Sequence, residues 1–147
     1  KLDIDVTVTD WINLPKTKGT YGPDGAPYMI YDALKLVTDT LDLRDFDNDG
    51  DGILDGLAVI HQGTGQEASA DANDIWSHSA KIYGQTFNGV TVRRNTIEPE
   101  SLAKNISTIG VICHEFGHAL GAPAFYDTDY ASSGGEFCGT GCFSALN

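Results

Sequence analysis

Val111-Ile112-Cys113-His114-Glu115-Phe116-Gly117-His118-Ala119-Leu120-Gly121 decides what kind of chain this is. At about 100° per residue, positions 114 and 118 of a helix lie about 40° apart, one turn above the other. Two imidazoles so placed can reach one Zn²⁺. The carboxylate of Glu115 stands beside them, where it can take a proton from a polarised water. Ser107 is expected to cap this helix, which should run to Leu120 and stop at Gly121. Val111, Ile112 and Cys113 precede the first His, so the helix reads as embedded, with Cys113 a buried free thiol.

A catalytic zinc needs a third protein ligand and leaves a fourth place to water. Ten residues after the first His, where a Gly turn would bring that ligand, stands Ala124, which has no donor. Asp127 and Asp129 are the nearest candidates, with Glu136 further on. Asp127 is the preferred choice, because Gly121 and Pro123 allow a tight reversal.

Upstream, Asp47-Asn48-Asp49-Gly50-Asp51-Gly52-Ile53-Leu54-Asp55 carries carboxylates at relative positions 1, 3, 5 and 9 with Gly at 6. That is the first part of a Ca²⁺ loop, in which Ile53 would offer its backbone carbonyl. Position 12 is Ala58 rather than the bidentate Glu, so a closed EF-hand is not expected. The cation would tie the preceding helix to the strand that follows.

Around these motifs, Leu2–Thr9 alternates apolar and polar, as a half-buried strand does. Pro27–Leu41 reads as an amphipathic helix with Ile30, Leu34, Val37 and Leu41 on one face. Gly56–His61 reads as a buried strand. Residues 62–80 read as loop around an Asp74-Ile75-Trp76 anchor. Lys81–Phe87 and Val90–Arg94 should form a hairpin through a type I′ turn at Asn88-Gly89. His61 and His78 could each serve a substrate or a second metal, although a hydrogen-bonded structural His is the commoner outcome.

The chain has 147 residues, one domain's worth, with no repeat, linker or long apolar run to divide or anchor it. Nine basic against 21 acidic residues give a net charge of −12, which speaks against nucleic-acid and membrane-surface partners. Seven Asp and one Arg lie between Asp39 and Asp55, so half of that excess sits around the proposed calcium loop. Cys138 and Cys142, four apart in a Gly-rich stretch, could form a disulfide. The absence of an initiator Met suggests a mature or trimmed segment.

The stretch from Gly110 through Tyr130 resembles the active-site region of the immune inhibitor A-type metallopeptidases. The resemblance extends to Asp45–His61, Gln66–Ser69, Asp74–His78 and Tyr21-Gly22. It implies an α+β, metzincin-like zincin domain with a twisted mixed sheet, a backing helix and an active-site helix. It also implies a secreted, extracellular zinc endopeptidase acting on protein or peptide substrates, here expected to be a monomer. In that scheme Glu115 is the catalytic base, and His114, His118 and Asp127 hold zinc. Asp47, Asp49, Asp51, Ile53 and Asp55 hold calcium. Two positions depart from the family. Ala124 replaces an acidic residue, and the only Met is Met29; Gly141–Leu146 falls where the family's methionine turn would, and Leu146 is the candidate to substitute for that Met. A calcium-dependent binding module, or an inactive fragment that keeps a zinc site, is the alternative.

Overall fold

The structure, a computed structural model, describes residues 4–22 and 26–123. In chain order its elements are α1 (Lys18–Tyr21), α2 (Ala26–Val37), a 3₁₀ turn (Leu43–Phe46), β1 (Ala58–Thr64), α3 (Gln66–Ser69), β2 (His78–Phe87), β3 (Val90–Leu102), β4 (Asn105–Ile106) and α4 (Ile109–Ala119). This is an α+β arrangement around a mixed four-stranded sheet. β3 is central, with β1 parallel on one side and β2 antiparallel on the other. The short β4 turns back on the end of β3.

The hairpin forms as its sequence predicts. Asn88 and Gly89 take φ of 50° and 88°, the paired positive values of a type I′ turn. β3 runs eight residues beyond the expected end at Arg94. Residues Asn95–Pro99 are buried on both faces, so the alternation that marks a half-exposed strand is missing there. Pro99 pairs with His61, and the β1–β3 register shifts just beyond that pair. Proline cannot donate to the ladder, which accounts for the irregularity.

Successive residues of β3 leave opposite faces of the sheet. Ile97 joins the apolar cluster formed with Met29, Ile30 and Leu34 of α2, closed by Tyr21, Leu43, Ile75, Ile82, Val90 and Val92. Glu98 faces the other way, toward Glu115 of α4. The backing helix and the site helix thus pack on opposite sides of one strand. α2 ends at Val37 rather than Leu41, because Thr38 turns its hydroxyl back onto the Leu34 carbonyl at 2.8 Å and a turn through Thr40 follows.

Four other expectations need correction. The segment from Ile4 to Thr9 is irregular and exposed, with Val6 at 69% and Val8 at 83%. No strand of the described residues lies alongside it, and alternation without a partner does not make a strand. Ser107 does not cap α4. Thr108 occupies the N-cap position without a side-chain bond, and the Ser107 hydroxyl is buried without a hydrogen-bond partner among the described residues. Cys113 is exposed, on the side of α4 turned away from the sheet. Residues 62–80 are only in part loop, since β1 continues to Thr64, α3 follows and β2 begins at His78. No helix of the described residues is long and apolar enough to cross a membrane.

Candidate metal and catalytic centre

α4 brings His114 and His118 together as the spacing requires. Their Nε2 atoms lie 3.2 Å apart, with the rings edge to face at 85°. Gly121, at φ 97°, turns the chain sharply after the helix. The turn carries the Ala122 carbonyl back to 2.9 Å from His118 Nδ1. A carbonyl only accepts, so Nδ1 carries a proton and Nε2 is the nitrogen left to face the site and a metal. Outer hydrogen bonds of this kind orient metal-binding imidazoles.

The donor set fits zinc. Two ligand nitrogens at about 2.0–2.1 Å from a tetrahedral zinc stand about 3.3–3.4 Å apart. The observed 3.2 Å separation is close to that edge. Glu115 is 7% exposed, and its Oε1 lies 4.0 Å from His114 Nε2. A cleft of about 430 Å³ opens over these three residues, walled by Trp76–Lys81 and by Arg94. Of the two uncertain histidines, His78 lines this cleft, and its Nδ1 donates to the Trp76 carbonyl at 2.7 Å. His61 does not line it. It is buried, its Nδ1 meets the Gln62 carbonyl at 3.1 Å, and burial holds its pKa below the usual value.

Beneath the cleft lies Glu98, a residue the sequence reasoning missed. It is 1% exposed, and neither carboxylate oxygen makes a hydrogen bond among the described residues. Burial pushes its pKa up to about 7, the nearby Thr96 hydroxyl offsets part of that rise, and the charge of Glu115 adds to it. Its place between the apolar Ile97 and Pro99 was the available signal.

The acidic loop is clamped to the start of β3 by Leu54 N–H to the Thr91 carbonyl (3.1 Å) and Thr91 N–H to the Gly52 carbonyl (2.8 Å). Asp47, Asp49 and Asp55 each present a carboxylate oxygen within 4.8 Å of the other two. Asp51 stands outside that trio, its Oδ1 accepting from Ile53 N–H at 2.8 Å, and Ile53 bridges to Thr91. Asn48 donates twice to Asp55 and holds that carboxyl below its usual pKa. Hard oxygen donors packed this closely suit Ca²⁺. Asp127, Asp129, Glu136, Cys138, Cys142 and Leu146 lie outside the described residues.

Comparison with known proteins agrees with the motifs. The family model described as "Immune inhibitor A peptidase M6, catalytic domain" matches residues 1–144. Immune inhibitor A of Bacillus thuringiensis subsp. alesti is 34% identical, over 89% of this chain and 24% of its own length. The pre-pro-metalloprotease PrtV of Vibrio cholerae serotype O1 is 33% identical, over 65% of this chain and 12% of its own. The chain therefore spans a quarter or less of the curated relatives it matches.

Proposed function

Since the chain belongs to the M6 peptidase family, as an immune inhibitor A-type catalytic domain, we propose that it is a secreted, metzincin-like zinc endopeptidase hydrolysing protein or peptide substrates. The observation that carries this reading is the pair of Nε2 atoms 3.2 Å apart, with Glu115 buried beside them under an open cleft. His114 and His118 would hold zinc, with Asp127 as third ligand. Zinc bound there would supply Lewis acidity, making a water nucleophilic near neutral pH and polarising the scissile carbonyl.

The chain's own groups do the rest. Glu115 accepts the proton of the attacking water on a carboxylate oxygen and delivers it to the departing amine. Its burial keeps competing solvent away from that carboxylate. His118, pinned through Nδ1, keeps its lone pair aimed at the centre. The rim Trp76–Lys81 leads into β2, an edge strand whose outer side is unpaired among the described residues, so a peptide can lie along it. Asp47, Asp49, Asp51, the Ile53 carbonyl and Asp55 would hold a structural calcium beside the start of β3.

Glu115→Ala should bind one equivalent of zinc and keep its circular-dichroism spectrum, while casein hydrolysis falls by at least about 10²–10⁴-fold. Hydrolysis at the parent rate would sink the mechanism. One equivalent of zinc with no hydrolysis by the parent, even of unfolded protein, would favour the binding-module or inactive-fragment alternative.

A further inference from the structure

The cleft carries a charge pattern opposite to that of the molecule. Against a net charge of −12, its wall holds Lys81 and Arg94. These two residues are direct cross-strand partners in the β2–β3 ladder, the last regular pair before the register shifts toward Gln85. Like charges placed directly opposite one another on a sheet are unfavourable. Neither has a carboxylate partner among the described residues. Lys81 makes no ion pair there, and Arg94 Nη1 reaches only the carbonyls of His118 and Ala119, at 3.5 Å each. Those weak contacts hold the guanidinium at the C-terminal end of α4, beside the second zinc-site histidine. Among the described residues that line the cleft, Glu115 is the one acidic side chain.

We propose that Lys81 and Arg94 form an anion subsite that selects peptide substrates with an acidic side chain, Asp or Glu, at the position beside the C-terminal end of α4. The proposal rests on the peptidase reading for its substrate class and names the preference within that class. Arg94 offers planar donors to a carboxylate, and Lys81 adds a mobile ammonium. A carboxylate between them offsets their mutual repulsion. Local charge decides at this range, because the repulsion of the distant acidic loop is screened over about 8 Å at physiological ionic strength.

The test uses Glu115→Gln protein loaded with zinc and calcium, so that peptides bind without being cleaved. Three peptides differing only by Glu, Gln or Lys at the tested position, synthesised in a set that moves this position along the sequence, are titrated by calorimetry. At one position the Glu peptide should bind about five- to tenfold tighter than the Gln peptide, with the Lys peptide weakest. This follows if each exposed pair contributes up to about fivefold. The preference should shrink between 50 mM and 500 mM salt, at about the level the screening length implies. It should vanish in Lys81→Gln/Arg94→Gln and be weakened or reversed in Lys81→Glu, whose carboxylate would stand opposite Arg94 and occupy its guanidinium.

Equal affinities at every position, or a Glu preference that survives both neutral substitutions, would overturn the subsite. The parent protein separates the two readings. Equal cleavage of all three peptides at every position keeps the peptidase and removes the subsite. No cleavage of any substrate, with discrimination intact in the binding assay, removes the peptidase and keeps the subsite.

Discussion

Glu98→Gln should make the protein more stable at alkaline pH and leave it almost unchanged in mild acid. The side chain is 1% exposed, without a hydrogen bond among the described residues, and its pKa is raised from 4.5 to about 7, chiefly by burial. The folded chain therefore holds this proton more tightly than the unfolded chain does. The resulting stability is complete below about pH 4.5 and falls away as the pH rises through about 7. At about 1.36 kcal/mol per pH unit, ionising Glu98 in the folded state costs about 3 kcal/mol in full, most of it between pH 5 and 8.5. Glutamine has nearly the shape of the protonated acid and cannot ionise. Urea unfolding of parent and variant, at fixed zinc and calcium, should thus give a stability difference that grows by about 2–3 kcal/mol from pH 5 to pH 8.5. In melting temperature that is roughly 5–10 °C for a chain of this size. A difference that stays flat with pH would refute the assignment. Glu115→Gln should move the same transition to lower pH, since it removes the neighbouring charge that helps to raise it.

The remaining expectations concern the loop and the scaffold. Calcium added to the chelated protein should raise its melting temperature in step with RT ln(1 + [L]/Kd), about 2.7 kcal/mol at a hundredfold excess over Kd, and Asp47→Asn should abolish the shift. An EGTA-treated protein that melts at the same temperature as the calcium-loaded one would dismiss the loop as a cation site. Gly22→Ala would place a Cβ 2.7 Å from the Asn73 carbonyl oxygen, forcing apart the backbone that leads into the cleft rim at Trp76. It should cost about 1–3 kcal/mol in urea unfolding. Gly56→Ala, which meets nothing within 4 Å, should stay within about 0.5 kcal/mol of the parent.

What the sequence determined by itself was whatever depends on near neighbours along the chain. The His114–His118 pair follows from helical geometry alone. The I′ turn follows from the conformational freedom of Asn88 and Gly89, and the gathering of Asp47, Asp49 and Asp55 from a short loop with glycines where it must turn. Burial and pairing across distance were decided elsewhere. Ile4, Val6 and Val8 alternate as a strand should, yet a strand exists only where another offers hydrogen bonds, and none of the described strands does so. Cys113 sits in an apolar run but faces outward, because which side of α4 is covered depends on where β3 lies. Glu98 reads as one more charged residue until β3 becomes the central strand, with α4 covering the face on which it stands; only then does its ionisation become costly. Lys81 and Arg94, thirteen residues apart, become neighbours through the register of the hairpin. Local motifs state which chemistry a chain can hold, whereas pairing register and burial set the charges that surround it, because electrostatic and desolvation energies depend on distances the linear order does not contain.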